Sequence, residues 1–171
     1  MERIAVDMDG VIADVSEQFF LFDEKDFGKR KTLEEVMGKP ESIAFPKCRE
    51  YVLTKGFFRT APVMKESQEI LLQLNKQYEV FIVSAATEFP HSFSEKQEWL
   101  NEHFPFITWQ QIVFCGTKTI IETDIMIDDH FKNLDHFKRT TFLFSQSHNF
   151  LQNEGRHRRV NSWKEIADIL L

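Results

Sequence analysis

The amino-acid sequence predicts an α/β fold, a three-layer sandwich in which helices cover both faces of a mainly parallel sheet. Its short apolar runs are continuous rather than alternating, which is typical of strands buried on both faces. Helical patterns separate most of these runs, and an alternation of strands and helices favours a parallel sheet. The length of 171 residues corresponds to about one domain, at roughly 100–200 residues per domain.

Five strands are predicted from these apolar runs. The first begins almost at the first residue and leads into an acidic turn that contains a glycine. In chain order, the predicted strands are Ile4–Val6, Val80–Val83, Ile112–Phe114, Ile125–Ile127 and Thr141–Phe144.

Three helices are predicted in the same part of the chain. Glu66–Lys76 and Ser94–His103 carry apolar residues at helical spacing. The last helix begins at Ser162, where Ser162 and Glu165 have the spacing of a capping box.

The stretch from about Val15 to Pro62 contains no convincing strand. It reads as three helices: Val15–Phe27, one that starts at the capping box Thr32–Glu35, and one around Tyr51 and Val52. We therefore expect residues 1–14 and 63–171 to form the core and residues 15–62 to form a small helical cap over the sheet.

Composition narrows the classes of partner. The net charge of −6 lacks the basic footprint of a duplex nucleic-acid binder. No apolar run approaches the roughly 20 residues that cross a membrane, and no signal peptide pattern precedes Arg3. Cys48 and Cys115 match no metal-ligand spacing and indicate reduced thiols. These observations predict a cytoplasmic protein without membrane or duplex nucleic-acid partners.

Polar residues follow the predicted strands where the strands end. In an open α/β sheet the ligand crevice lies beyond the carboxyl ends of the strands. The residues at those ends are Asp7, Asp9, Ser84, Lys118, Asp128 and Asp129. Each alone has a structural interpretation as a turn, capping or surface residue, and their joint occurrence indicates a catalytic site.

Four carboxylates in one crevice repel one another unless a cation neutralises them. Mg²⁺ suits a site of carboxylates and substrate phosphate, while Lys118 and Ser84 could each hold a phosphate oxygen. Asp7 and Asp9 are two apart at a strand end, so one could attack phosphorus while the other serves as general acid and base. The set predicts phosphate chemistry with Mg²⁺.

These residues resemble the haloacid dehalogenase (HAD) superfamily of phosphohydrolases, and within it the 5′(3′)-deoxyribonucleotidase family. Asp7-Met8-Asp9-Gly10-Val11 is similar to the first superfamily motif, and Ser84, Lys118 and Asp128-Asp129 are similar to the following three. The narrower resemblance rests on segments along nearly the whole chain: Ala13-Asp14, Gly56-Phe57-Phe58-Arg59 with Pro62, Glu95-Lys96 with Trp99, Lys118-Thr119, His148-Asn149 and Asn161-Ser162-Trp163.

The resemblance implies a Rossmann-like core with a cap inserted after the first strand. It also implies that Asp7 is the nucleophile, that Asp9 is the general acid and base, and that Ser84 and Lys118 hold the phosphate. The implied metal residues are Asp7, Asp9 through its backbone carbonyl, Asp129 directly and Asp128 in a supporting role. The implied substrate is a nucleoside monophosphate, with Phe45 near its base, and the family suggests a homodimer.

Three positions depart from the family pattern. The second motif continues as Ser84-Ala85-Ala86 where the family has Thr-Ser-Pro, so one phosphate-binding hydroxyl is missing. Val15 stands where the characterised animal enzymes have an aromatic residue of the base pocket. His130 follows the fourth motif, and we interpret it as a helix-capping or surface residue.

Alternatives from other classes stay open. The chain could be a phosphatase for another small phosphate ester, or a non-catalytic nucleotide-binding module on the same scaffold. A receiver-like phosphorelay domain also groups acids and a lysine around Mg²⁺, but a helical insert after the first strand does not suit it.

Overall fold

The computed structural model describes residues 1–171 and contains one six-stranded sheet in which every neighbouring pair is parallel. Its strands are β1 (Arg3–Asp7), β2 (Glu79–Ser84), β3 (Ile112–Phe114), β4 (Ile125–Asp128), β5 (Thr140–Phe144) and β6 (Arg158–Val160). Their spatial order is β3-β2-β1-β4-β5-β6, which confirms the predicted α/β class. The order reverses at β1, so its carboxyl end is the switch point at which such sheets bind ligands.

Eight α-helices accompany the sheet, and all six predicted helices are among them. They are α1 (Val15–Phe27), α2 (Leu33–Val36), α3 (Glu41–Ala44), α4 (Cys48–Leu53), α5 (Ser67–Gln77), α6 (Ser92–His103), α7 (Phe131–Leu134) and α8 (Trp163–Leu170). Short 3-10 turns cover Trp109–Gln111 and Lys118–Ile120. No helix combines the length and apolar character that a membrane span requires.

Two capping predictions have different outcomes. The capping box at the start of α2 is present: Thr32 Oγ1 accepts from Glu35 N, and the Glu35 carboxylate accepts from Thr32 N at 2.6 Å. At α8, Ser162 Oγ accepts from Glu165 N at 3.3 Å, but the Glu165 carboxylate accepts from Asn161 N. The second half of that predicted box is wrong, because the carboxylate reaches one residue further back.

The main core lies between the sheet and helices α5, α6 and α8. Its two buried tryptophans also anchor the ends of the insert between β1 and α5. Trp99 Nε1 donates to Ala61 O and Trp163 Nε1 donates to Val11 O, each at 2.7 Å. The chain therefore leaves and re-enters the core at points fixed by buried indole hydrogen bonds.

The predicted helical insert after β1 is confirmed and consists of α1 to α4. It packs around an apolar cluster of its own, which is rich in aromatic residues: Phe19, Phe20, Val36, Ala44, Phe45, Tyr51, Phe57 and Phe58. We propose the division into a core of residues 1–14 and 63–171 and a cap of residues 15–62, and we call the insert the cap below.

Candidate active site

The acidic turn after β1 forms the centre of the site. Asp7 is the last residue of β1, and Asp9 lies two residues beyond it. Met8 N donates to Asp7 Oδ1 at 2.7 Å, which fixes the orientation of that carboxylate. Gly10 follows with a φ of +78°, a conformation that favours glycine and turns the chain sharply away from the strand.

A buried lysine joins the carboxylates at the ends of β1 and β4. Lys118 Nζ lies 2.6 Å from Asp7 Oδ1 and 2.6 Å from Asp128 Oδ2. Asp128 also accepts from His130 N at 2.9 Å and from Asn133 Nδ2 at 3.0 and 3.1 Å. Protein donors therefore occupy both oxygens of Asp128, while Asp7 Oδ2 has none of these bonds.

The charges in this group shift one another. Burial raises the pKa of Asp7 well above its usual value, and the neighbouring Asp128 charge raises it further against the opposing effect of Lys118. Burial alone would lower the pKa of Lys118, but the carboxylates of Asp128 and Asp7 raise it above its usual value. Lys118 is thus a fixed positive charge, and Asp7 needs more positive charge nearby to be fully ionised.

A second buried lysine pairs with Asp9. Lys96 Nζ lies 2.5 Å from Asp9 Oδ2 and 2.9 Å from Ser84 Oγ, and 4.6 Å from the centre of the Phe58 ring. Its side chain is 1% exposed. No role in the chemistry is predicted for Lys96 from the sequence. Its signal is a lysine on the apolar face of α6, three residues before the buried Trp99.

The fourth-motif carboxylate Asp129 is held from the other side. Asp129 Oδ2 lies 2.9 Å from His148 Nε2, and Asn149 Nδ2 donates to the Asp129 carbonyl oxygen at 2.8 Å. Burial opposes ionisation of Asp129, but His130 and His148 outweigh it and lower its pKa. Burial likewise disfavours charged His148, and the hydrogen bond to Asp129 reverses this and raises the His148 pKa.

The acidic group fits a hard divalent cation. Oxygens of Asp7, Asp128 and Asp129 lie within 4.8 Å of one another. Asp9 Oδ1 and Asp129 Oδ1 are buried and have no hydrogen-bond partner. Buried carboxylate oxygens without partners are costly. An oxygen-coordinated ion such as Mg²⁺ would satisfy Asp129 Oδ1, and a proton would satisfy Asp9 Oδ1. Since Asp128 is already occupied by Lys118 and Asn133, Asp7, Asp9 and Asp129 are the better candidates for direct contact.

A cavity of about 300 Å³ opens between the cap and this acidic centre. Asp9 and Asp129 line it directly, whereas Asp7, Ser84, Lys118 and Asp128 are buried and do not. Val15 also lines it, at the position of the departure from the family pattern. The aromatic part of its wall consists of Phe19, Phe45, Phe58 and Phe89. The charged part of its wall, apart from the acidic centre, includes Lys39, Glu41, Glu88 and Lys132.

The structure brings the predicted strand-end residues together, and it also shows the surroundings of Phe45 and His130. Phe45 lies in the cavity wall, where its ring stacks on Phe19 at 5.4 Å between ring centroids. His130 occupies the N-cap position of α7, but its side chain makes no capping hydrogen bond. Its ring stacks on His148 at 4.4 Å between centroids, and its side chain is partly exposed, which fits the interpretation as a helix-capping or surface residue.

Comparison with known proteins identifies the family. The model of the family "5′ nucleotidase, deoxy (Pyrimidine), cytosolic type C protein" matches residues 1–171. A 5′(3′)-deoxyribonucleotidase of Bacillus subtilis is 37% identical over 177 residues, which covers 98% of each chain. A haloacid dehalogenase-like family hydrolase from Streptococcus pneumoniae shares the fold, with a TM-score of 0.63, 15% identity, and coverage of 99% of this chain and 98% of that one.

The fold is also similar to that of the HAD hydrolase YfnB from Bacillus subtilis, a structure determined with bound magnesium. The TM-score is 0.62 at 14% identity, and the match covers 99% of this chain and 98% of YfnB. The full-length family match and the relative at 37% identity show the family, and the likeness to the solved structures agrees with the fold. The chain is a hydrolase that belongs to the 5′(3′)-deoxyribonucleotidase family, on the HAD-like fold.

Proposed function

We propose that this chain hydrolyses deoxyribonucleoside monophosphates to nucleoside and phosphate, with Asp7 as nucleophile and Mg²⁺ as cofactor. The observation that carries the proposal is the pair of oxygens of Asp7. Oδ1 accepts from Met8 N and pairs with Lys118, and these bonds leave Oδ2 for attack on phosphorus.

The first displacement uses both acids of the turn after β1. Asp7 Oδ2 forms a bond to phosphorus as the bond between phosphorus and the ester oxygen breaks. Asp9 donates a proton to that ester oxygen, so that the nucleoside leaves as an alcohol. Asp9 lines the cavity, where the leaving group would lie, and Asp7 uses its free oxygen for the bond to phosphorus.

The second displacement releases the phosphate. Asp9 takes a proton from a water molecule, whose oxygen bonds to phosphorus, while the bond between phosphorus and Asp7 Oδ2 breaks. Asp7 returns as a carboxylate and Asp9 returns in its protonated form, so the enzyme is unchanged over one cycle.

Fixed positive charges support both steps. Lys118 stabilises Asp7 as a carboxylate. Lys96 donates to Asp9 Oδ2 and to Ser84 Oγ, which leaves the unpartnered Asp9 Oδ1 to carry and accept the proton. Asp7, Asp129 and the backbone carbonyl of Asp9 would hold Mg²⁺, with Asp128 in a supporting role through Lys118. When bound, the ion supplies positive charge against the phosphoryl oxygens and reduces repulsion among the carboxylates.

The cavity supports a nucleotide rather than a very small ester. Its volume of about 300 Å³ lies at the lower end of ligand pockets, and its aromatic wall suits a flat base. Phe45 is our candidate for contact with the base. The matching family is named for a cytosolic type and both cysteines are free thiols, so we propose a cytoplasmic location. A homodimer remains a prediction.

The test is phosphate release from a panel of deoxyribonucleoside and ribonucleoside monophosphates and sugar phosphates, with Mg²⁺ or EDTA. We expect Mg²⁺-dependent release from deoxyribonucleotides by the wild type and none by Asp7→Asn. Asp168→Asn, an exposed acid on α8 far along the chain from the site, is the matched control and should behave as wild type.

Rapid acid quenching tests the covalent step. Wild-type protein turning over a ³²P-labelled monophosphate should carry label that hydroxylamine releases, as an acyl phosphate does, and Asp7→Asn should carry none. Turnover confined to sugar phosphates would contradict the proposed nucleotide substrate but would agree with the proposed two-step mechanism. Mg²⁺-dependent nucleotide binding without release would instead favour a binding module.

A further inference from the structure

We propose that Glu41, His130 and His148 form a second metal site, which takes a divalent transition ion such as Zn²⁺ where the cap meets the core. One ligand atom from each of these residues lies within 4.8 Å of the other two. The set differs in chemistry from the all-carboxylate group around Asp7, because two of its three donors are imidazole nitrogens.

The three side chains come from separate elements that converge at the cavity. Glu41 is the first residue of α3 in the cap, His130 precedes α7, and His148 lies in the loop after β5. Gly38 N donates to Ser147 O at 2.8 Å, which holds the cap loop beside the loop that carries His148. All three proposed ligands line the cavity, so an ion can enter from solvent.

The two imidazole rings lie against each other beside the Glu41 carboxylate. The rings of His130 and His148 are stacked with a centroid separation of 4.4 Å and an interplanar angle of 14°. His148 Nε2 lies 3.8 Å from Glu41 Oε1, and His130 Nε2 lies 3.8 Å from Asp129 Oδ2. Ligand atoms around a tetrahedral zinc ion are about 3.4 Å apart, given bonds of about 2.0–2.2 Å. Binding by both rings therefore requires the partly exposed His130 ring to turn out of the stack and the three ligand atoms to approach one another.

The donor set selects the class of ion. Imidazole nitrogen favours Zn²⁺ and similar transition ions, whereas Mg²⁺ prefers oxygen ligands. Two histidines and one glutamate are a known zinc ligand set that leaves a fourth position open. Zinc binds a ring nitrogen that carries no proton, so His148 Nε2 would exchange its hydrogen bond with Asp129 for the bond to the ion. Asp129 Oδ2 would then lie next to the zinc ion, while the unpartnered Asp129 Oδ1 could still bind Mg²⁺.

Zinc at this site would join the cap to the core. Glu41 belongs to the cap and both histidines belong to the core, so an ion bound by all three restrains the cap over the cavity. If the proposed nucleotidase reaction holds, the bound ion also occupies part of the cavity wall and competes for Asp129. We therefore expect Zn²⁺ to slow phosphate release even when Mg²⁺ is saturating.

Direct metal analysis tests the site independently of catalysis. Purified protein is dialysed to equilibrium against Zn²⁺ in the presence of excess Mg²⁺, and bound zinc is measured for the wild type, Glu41→Gln and His130→Asn. We expect one zinc per wild-type chain and an affinity at least about tenfold lower in each variant. The controls Glu34→Gln, on the exposed side of the same cap, and His136→Asn, an exposed histidine, should bind as wild type does.

Thermal melting of every variant, followed by circular dichroism, verifies that each one is folded, since the two substituted residues are partly exposed. Wild-type protein that binds no stoichiometric zinc overturns the proposal. Equal binding by the wild type and both variants also overturns it, because the zinc then lies elsewhere, for example among the carboxylates. Absence of phosphate release in Mg²⁺ alone would count against the nucleotidase proposal and would leave the zinc measurement standing.

Discussion

A single methyl group at Gly10 tests whether Asp129 must occupy its observed position. Gly10 has a φ of +78°, and a Cβ atom placed there lies 2.9 Å from Asp129 Cγ and closer still to Oδ2. Ordinary van der Waals contact begins at 3.4 Å, so Gly10→Ala forces the carboxylate to move. His148 bonds the same Oδ2 and Asn149 bonds the Asp129 carbonyl oxygen, so a shift of the carboxylate disturbs contacts that hold Asp129 in place.

The geometry gives the size of the effect. To bring Asp129 Cγ from 2.9 Å to the 3.4 Å of ordinary contact with the added methyl group, the carboxylate must move by about 0.5 Å. Its Oδ2 atom lies closer to the methyl group and must move further. A misplacement of about 1 Å in a catalytic group can cost about 100-fold in rate, so we expect kcat/KM to fall about 10- to 100-fold. The left-handed backbone of an alanine adds a loss of about 1–2 kcal/mol in the free energy of unfolding.

Gly28→Ala separates the clash from the backbone strain. Gly28 ends α1 with a φ of +69°, and no atom lies within 4 Å of the position that a methyl group would take there. It should lose about the same 1–2 kcal/mol of stability and keep wild-type kinetics. The assays are urea unfolding and phosphate release as a function of Mg²⁺ concentration. Wild-type kcat/KM and Mg²⁺ dependence in Gly10→Ala, or equal kinetic losses in both variants, would refute the argument.

Three further predictions concern the charges of the site. Lys96→Met removes the cation beside the Asp9 carboxylate and should lower kcat about 10²- to 10³-fold in steady-state kinetics. The control Lys76→Met, on an exposed helix surface, should keep the wild-type kcat. The buried Glu95 carboxylate accepts from three backbone N–H groups of residues 56–59. Glu95→Gln removes its charge and should lower the free energy of unfolding in urea by about 1.5–3 kcal/mol. Glu98→Gln, on the exposed side of the same helix, should lower it by less. Mg²⁺ at 100 times its Kd should stabilise the fold by about 2.7 kcal/mol, as seen by thermal melting, and Asp129→Asn should lose most of this gain.

The strand-end residues could be predicted because topology alone decides where they meet. Continuous apolar runs fix the parallel strands, and the carboxyl ends of parallel neighbours share one edge. Asp7 and Asp128 therefore had to lie near each other, at the ends of the adjacent strands β1 and β4. The short edge strand β6 escaped prediction because Arg158–Val160 contains no apolar run and pairs with β5 alone.

Residues that reach the site from helices and loops were harder to predict. Lys96 depends on how α6 packs across the end of β2, and only its place on an apolar helix face gives a signal. His148 lies in a loop, where no periodicity applies, and its contact with Asp129 depends on the Asn149 side chain that bonds Asp129 O and Phe144 O. Such contacts arise from tertiary packing rather than from local pattern.

Asp7 and Asp9, the two proposed catalytic acids, have separate buried cations, and this separation bears on how the cap would affect the proposed chemistry. Lys118 serves Asp7 from the turn after β3, whereas Lys96 serves Asp9 from α6. Glu95, the preceding residue of α6, holds the segment 56–59 that leaves the cap. A cap movement that shifts this segment therefore acts on the turn of α6 that positions the partner of Asp9. Because Lys118 lies on another element, Asp7, the proposed nucleophile, would keep its cation while Asp9, the proposed acid and base, would respond to the cap.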